Sequence, residues 1–351
     1  MKTIEEIAEY LRTYQGKKIR LMEVCGSHTA AISKYGIRDI LSDKIELISG
    51  PGCPVCVTPS AYIDRLIELA KQPDTCVVTF GDMLRVPGSR QSLSEAKGEG
   101  AAAVMVYSPM DTLKLAKDNP QVTYVFAAVG FETTAPVYTL LLEEAERKGL
   151  TNIRLLTALK TMPQAIRYLM EQGSRVDGFL APGHVCAVTG SKAFEPLAQE
   201  FGIPFAVSGF GDRELLIAIY GLVRMVKQKI AEVRNFYPSV VTEQGNEIAQ
   251  QKLKQYFMPY DAVWRGMGSI PDSGLLLRRE YDKYDAGSAA LTTDKKRNPG
   301  CCCDKILTGQ MTPKECPLFA KVCTPANPQG ACMVSYEGSC CQQYGNGGSN
   351  G

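Results

Sequence analysis

Between residue 19 and about residue 230 the chain alternates short apolar runs with amphipathic stretches of helical length, and this alternation restricts the fold more than any other feature. A strand that is apolar along its whole length is buried on both faces, and intervening helices supply the crossovers that parallel neighbours need. The strand-like runs are "IRLMEV" (19–24), "KIELIS" (44–49), "CVVTF" (76–80), "AVMVYS" (103–108), "VTYVFAAV" (122–129), "IRLLTAL" (153–159), "GFLA" (178–181) and "PFAVS" (204–208). Helical patterns fall at 59–71, 136–148, 163–172, 191–201, 212–234 and about 243–256. Thr58 is placed to cap the first of these with Pro59 in its first turn, and Thr3 and Glu6 have capping-box spacing ahead of an N-terminal helix. At 351 residues the chain exceeds one ordinary core, so two parallel-sheet α/β domains are expected. The expected division is an N-terminal helix (1–18), a first α/β domain (19–150), a second (151–235), a C-terminal region (236–344) and a flexible tail (345–351).

Two stretches echo each other. "PGCPVCVTPSAY" (51–62), followed by "FGD" (80–82), returns as "PGHVCAVTGSKAF" (182–194), followed by "FGD" (210–212). Both Pro-Gly turns fall at carboxyl ends of strands, where open α/β sheets place their sites. The match is short and leaves internal duplication open.

A balance of 39 basic against 37 acidic residues, +2 overall, argues against nucleic-acid binding. "DKKRNPG" (294–300) reads as a solvated loop. No apolar run approaches the roughly 18 residues of a membrane helix. The most apolar stretch, "LLIAIYGLV" (215–223), is interrupted by Gly221 and followed by Arg224. No signal-peptide apolar segment follows the N-terminal helix, so a cytoplasmic location is expected. That compartment keeps thiols reduced, and an odd count of 13 cysteines cannot all pair. Metal binding and redox chemistry remain.

Eight of the cysteines fall after residue 256, where the alternation stops and Gly and Pro accumulate: Cys301, Cys302, Cys303, Cys316, Cys323, Cys332, Cys340 and Cys341. A region with so little strand or helix pattern needs a staple. Zinc sites use close CxxC-type pairs, absent here, and neither histidine lies in this region. Four thiolates at wide, loop-borne spacing suit an iron–sulfur cluster instead. Cys302 and Cys341 adjoin better placed candidates and read as packing or surface residues.

In the α/β part, "RLMEVCGSHTAA" (20–31) runs a strand into Cys25 and then a helix that Ser27 or Thr29 is placed to cap. That position should draw the thiol toward thiolate, with His28 three residues on. Cys53 and Cys56 have the CxxC spacing of thiol–disulfide chemistry, although the spacing alone also admits a metal half-site or a turn. Cys76 reads as core and Cys186 as ambiguous. Glu132 lies at another strand-to-helix turn with Thr133 and Thr134, where it suits a capping or a catalytic role, and Asp82 and Arg85 are placed similarly. No GxxxxGK[ST] or strand-borne GxGxxG is present, so nucleotide binding is not supported.

Taken in order, "MEVCGSHT", "GPGCPVCVTP", "FGDMLRVPGS", "EAKGEGA", "YSPMDTLKLA", "GFETTAP", "PGHV", "WRGMGSIPDSGL" and "CPLFAKVCTPANPQGACMVSYEGSC" resemble the hydrogenase maturation factor HypD family from about residue 20 to residue 344. The resemblance implies two α/β domains facing a cleft and a third region with a [4Fe-4S] cluster. It also implies a scaffold on which iron acquires cyanide and carbon monoxide before delivery to [NiFe]-hydrogenase. A HypC-type chaperone would share the iron, and a HypE-type partner, loaded by a HypF-type one, would donate cyanide. By the same resemblance Cys25 is the iron ligand and Cys53 and Cys56 are the dithiol; on this scaffold reading His28 and Glu132 are expected to assist from the cleft. Cys301, Cys316, Cys323 and Cys340 hold the cluster, and Cys303 and Cys332 form a redox pair beside it. The choice between Cys301 and Cys303 stays open because "CCC" replaces two separated cysteines. Departures from the family pattern occur at Cys186, where serine is usual, and at "GFGD" (209–212), where Gly-Phe-Glu-Pro is usual. The alternative function is an iron–sulfur-dependent thiol–disulfide oxidoreductase, and a zinc-stapled interaction module is a third.

Overall fold

The computed structural model describes residues 2–347 and is a mixed α/β protein with two sheets. All eight expected strands form: β1 Ile19–Glu23, β2 Ile45–Ser49, β3 Thr75–Thr79, β4 Ala103–Met105, β5 Thr123–Gly130, β6 Ile153–Lys160, β7 Gly178–Pro182 and β8 Phe205–Ser208. Three more follow, β9 Val233–Asn235, β10 Phe257–Trp264 and β11 Gly268–Leu277. One sheet has the order β2-β1-β7-β8-β9, all parallel. The other has the order β10-β11-β6-β5-β3-β4, parallel except for the β10–β11 hairpin and its junction with β6.

Sheet membership does not follow chain order. The first sheet draws on residues 19–49 and 178–235, the second on residues 75–160 and 257–277. A division at residue 150 therefore differs from the hydrogen bonding: it separates β5 from β6, which pair from Tyr124–Ile153 to Gly130–Leu159. The crossover helices decide this. The chain leaves the first sheet after β2, builds four strands of the second, and returns with β7 beside β1. Carboxyl-terminal turns far apart in sequence are thereby gathered between the sheets.

The helix Asp212–Gln228 lays Leu215, Leu216, Ile219, Leu222 and Val223 in one core with Leu21, Leu180, Ala206 and the N-terminal helix residues Ile7 and Leu11. The expected N-terminal capping box is present, Thr3 N–H donating to Glu6 Oε2 at 2.8 Å and Glu6 N–H to Thr3 Oγ1 at 3.3 Å. Thr58 does not cap the helix Ser60–Ala70; its hydroxyl donates to Pro54 O at 2.8 Å, and Asp294 accepts from Ser60 N–H at 3.0 Å instead. Asp294 also accepts from Gly266 N–H at 2.8 Å, so the 294–300 stretch is a clasp rather than only a solvated loop.

The cysteine-rich region is not appended to the sheets but packed between them. Cys301, Cys303, Cys316, Cys323, Cys332 and Cys340 share one core cluster with Cys53, Cys56, Met22, Phe179 and Trp264. The last helix, Ser339–Gly347, takes in residues 345–347 of the expected tail, and residues 348–351 lie outside the described residues. Among the described residues no helix is long and apolar enough to cross a membrane.

At the carboxyl end of β6, Lys160 is buried, its Nζ donating to Val263 O at 2.8 Å and lying 5.2 Å from the Trp264 ring centroid. Burial lowers its ammonium to about 7, with Asp294 only partly opposing this. The unfolded chain, with a lysine near ~10.4, holds the proton over a range where the folded chain has lost it. Stability from this group therefore rises as pH climbs from about 7 toward ~10. Denaturant unfolding at two pH values should show the native chain gaining roughly 2 kcal/mol over Lys160→Met between ~pH 7 and ~pH 9. Parallel pH profiles would contradict that assignment.

Candidate functional site

The site begins at the end of β1. Cys25 follows the strand and heads the helix Gly26–Lys34, and Gly26 N–H donates to Gly52 O at 2.8 Å. A Cβ on Gly52 would collide with the Cys25 backbone, so only glycine lets the CxxC loop lie directly against that turn. Neither expected cap forms: Ser27 Oγ donates to Glu337 Oε1 at 2.7 Å, and Thr29 Oγ1 donates to Glu23 Oε1 at 2.6 Å. The thiolate expected at Cys25 is also overturned. Burial pushes this thiol up to about 12, outweighing the backbone donors of His28 and Ser27. The helix dipole is worth at most ~2 kcal/mol and cannot repay the desolvation of an unpaired buried anion. Cys25 is therefore a thiol at neutral pH.

His28 is fully buried, with Nε2 3.2 Å from Ser208 O and 3.1 Å from Gly209 O. Both neighbours are carbonyls, so Nε2 carries the proton and Nδ1 is left as a lone-pair donor atom without a partner. Burial lowers the imidazolium to about 4, which leaves the ring neutral at neutral pH. The neutral ring therefore presents Nδ1 as an acceptor atom and carries no proton there to give.

Glu132 caps a helix, but not its own. Its Oε1 accepts from Met162 N–H at 2.9 Å, at the start of the helix Met162–Glu171. Oε2 is buried without a partner, and burial raises the carboxyl to about 7. Thr134 stands at the start of the following helix without a side-chain cap bond.

From Cys53 an unbroken run of sulfur contacts leads into the C-terminal region. Cys56 N–H donates to Cys53 Sγ at 3.2 Å, and the Cys56 thiol lies near enough to Cys53 and Cys332 for both to raise it. Cys332 in turn contacts Cys303 and Cys340. Cys303 stands 3.1 Å from Cys301, sulfur to sulfur. Neighbouring thiols and burial together raise Cys56, Cys303 and Cys332, while the Arg265 guanidinium acts the other way on Cys303.

Cys301, Cys303, Cys316, Cys323 and Cys340 line a single small cavity with Ile306, Leu318, Phe319 and Met333. A Cβ at Gly330 would lie 2.5 Å from Cys303 Sγ and 2.8 Å from Cys301 Sγ, so glycine there keeps the thiol ring open. Gln329 N–H donates to Cys323 Sγ at 3.4 Å. Among the described residues no three His, Cys, Asp or Glu side chains are gathered to chelate one ion. Thiols spread around an apolar cavity, with backbone N–H groups aimed at sulfur, fit a polynuclear cluster better than zinc. Cys301 and Cys303 both line it, which leaves the choice between them open. Cys302 stays outside, half-buried with its Sγ 3.6 Å from Gly300 O, and Cys76 packs near the core of the second sheet.

Three charged residues went unnoticed in the sequence. Glu23 is fully buried, accepting from Thr29 and, at 3.3 Å, from Cys25 N–H, and burial raises it to about 7. The available signal was a carboxylate inside an apolar strand two residues before a cysteine. Glu337 ties the cysteine-rich region to the Cys25 turn through Ser27. Arg265, 6% exposed, donates from Nε to Thr58 O at 2.6 Å and from Nη2 to Pro87 O at 3.0 Å, while its N–H bonds Val57 O at 2.8 Å. It thus fixes the loop just after the CxxC.

Two parallel-rich sheets close on a buried run of cysteines and a five-cysteine cavity, which defines an α/β protein with a cysteine-rich core. The HypD family model, described as "Hydrogenase formation hypA family", matches residues 1–347. The chain is 41% identical over 348 residues to the hydrogenase maturation factor HypD of Escherichia coli, covering 97% of this chain and 92% of that protein. It is 40% identical over 354 residues to HypD of Rhodobacter capsulatus, covering 99% and 94%. A hydrogenase expression/formation protein, HupD of Azotobacter chroococcum, is 42% identical over 341 residues, covering 94% and 90%. The chain belongs to the HypD family of hydrogenase maturation factors.

Replacing Arg265 should detach the loop after the CxxC. Arg265→Met leaves two buried carbonyls without donors and should cost about 2–4 kcal/mol in denaturant unfolding. Arg265→Lys should restore little of this, because a point charge cannot fork between two carbonyls. Native-like stability in the Met variant would show that the loop is held by other contacts.

Proposed function

We propose that this chain is a scaffold on which the Fe(CN)2CO group of [NiFe]-hydrogenase is assembled. Iron is the cargo, held at Cys25 together with a HypC-type chaperone, and cyanide arrives from a HypE-type partner. The observation that carries this reading is the run of sulfur contacts from the five-cysteine cavity through Cys303, Cys332 and Cys56 to Cys53, whose loop lies against the Cys25 turn. A scaffold that must hold iron and supply electrons to it needs both ends of such a path within one dry core.

Cys301, Cys316, Cys323 and Cys340 would hold a [4Fe-4S] cluster, which when bound supplies single electrons. Cys303 and Cys332 form the dithiol next to it, and Cys53 and Cys56 the dithiol next to iron. Each dithiol gives up two electrons and two protons on closing to a disulfide, and exchange between them moves the pair without an outside oxidant. Cys25 gives up its proton when iron binds. His28 offers the Nδ1 lone pair and Glu132 the Oε2 oxygen, both buried, as acceptors near the ligands being built. Thiolates suit low-spin iron, and a water-excluding core protects it from hydrolysis and oxygen.

The same sulfur run favours a second reading, a free-standing thiol–disulfide oxidoreductase. Infrared spectroscopy of the anaerobic protein with its maturation partners separates the two, since cyanide and carbonyl stretches fall where protein does not absorb. Native protein should show these bands and Cys25→Ala should lose them. Bands that survive would move iron off Cys25. Absence from both, with partners bound, would leave the oxidoreductase.

A further inference from the structure

Arg265 fixes the loop after the CxxC, yet its charge has no counter-ion. Its side chain is 6% exposed. Among the described residues its guanidinium donates to two backbone carbonyls, Thr58 O and Pro87 O, and meets no carboxylate within ion-pair distance. A second cation is buried on the same hairpin, where Lys160 Nζ donates to Val263 O at 2.8 Å, two residues before Arg265. The carboxylate on the neighbouring N–H, Asp294, is already engaged by Ser60 N–H at 3.0 Å and Gly266 N–H at 2.8 Å. One carboxylate therefore stands against two buried cations.

The backbone shows where this charge stands. Arg265 N–H donates to Val57 O at 2.8 Å, one residue after Cys56. A Cβ on the next residue, Gly266, would lie 2.7 Å from Asp304 Cα and 3.1 Å from Asp304 N. The chain at Arg265 thus touches the CxxC loop and, one residue on, the residue that follows Cys303, whose side chain lines the cysteine cavity. A Coulomb interaction needs no contact, because it falls only with the first power of distance and a protein interior screens it less than water does. The guanidinium already acts on the Cys303 thiol, favouring its anion against the neighbouring thiols.

A buried cation without a partner is costly, and two carbonyl dipoles repay only part of that cost. The natural place for it is beside a buried anion. Four thiolates around a [4Fe-4S] core make such an anion, and its net charge is one of the levers that set its potential. We propose that Arg265 is the counter-charge of the cluster and raises its reduction potential by favouring the state that holds one more electron. The inference rests on the reading of the cavity as a [4Fe-4S] site given under the proposed function. The electron comes from a one-electron reductant, and no bond at Arg265 forms or breaks.

The test separates the charge from the fixing of the loop. Native protein, Arg265→Met and Arg265→Lys are reconstituted with iron and sulfide without oxygen. Each is then titrated with dithionite and redox mediators while the cluster's absorbance and electron paramagnetic resonance are followed. Arg265→Met should be reduced only at a potential about 59 mV lower, a tenfold change in a one-electron equilibrium. Arg265→Lys loses the fork and should fall in stability almost as far as the Met variant, yet it keeps the charge, so its reduction equilibrium should stay within about threefold of native. A potential in the Lys variant that falls as far as in the Met variant would make the effect one of loop packing and overturn the inference. A native potential in the Met variant would overturn it as well. Where the Met variant takes up no cluster, Arg265→Gln, neutral but still a donor, is titrated in its place against the same two outcomes. A native chain that takes up no cluster overturns the cluster reading itself, and this inference falls with it.

Discussion

The contact between Cys332 and Cys56 joins two parts of the chain that share no secondary structure. One side is a turn on the first sheet; the other is a loop-rich stretch with short helices but no strand of its own. Their meeting lets the cysteine-rich region fold at all, because its thiols fill the core between the sheets in place of aliphatic side chains. It also sets the chemistry. A row of thiols in a low-dielectric interior stays protonated, since an isolated anion there costs far more than a helix dipole returns. A buried, protonated thiol is a poor nucleophile, which leaves the row unreactive.

Interleaving of the sheets makes the contact possible. Had the chain built one sheet and then the other, the turns after β1, β5 and β7 would not lie at a single junction. Because β7 returns beside β1, the Cys25 and Cys186 turns adjoin. On the second sheet, Glu132 after β5 caps the helix that follows β6 and so ties two of its turns together. Charged clamps then close the assembly across long stretches of chain: Glu337 to Ser27, Arg265 to the loop after the CxxC, and Asp294 to the helix after it. Each clamp is buried or half-buried, and those of Arg265 and Asp294 satisfy backbone groups that would otherwise be costly.

Much of this was legible in the residues, for identifiable reasons. The eight parallel strands stood out because burial on both faces makes them apolar throughout, and their ends agree with the structure to within a few residues. The β10–β11 hairpin was missed because its strands carry Pro259, Asp261, Pro271 and Asp272; β10 is the sheet edge and β11 meets β6 only at Gly274 and Leu275, so polar residues and proline are tolerated there. The cysteines advertised themselves by number and place. What could not be read was how burial would act on them: local sequence pointed to a thiolate at Cys25, whereas the folded core holds a thiol. Glu23, Arg265 and Glu337 escaped because isolated charges in a linear pattern look like surface, and two of the three find their partners some 200 or more positions away.

The central claim is that electrons pass between the cysteine-rich cavity and the CxxC through Cys332. The direct measurement starts with the Cys53–Cys56 pair oxidised and the cluster loaded, adds a one-electron reductant too bulky to enter the core, and follows thiol alkylation at both cysteines by mass spectrometry. In native protein the disulfide should open to two thiols, taking up two electrons and two protons, and in Cys332→Ala it should remain closed over the same interval. Equal rates of opening in the two proteins would contradict the account.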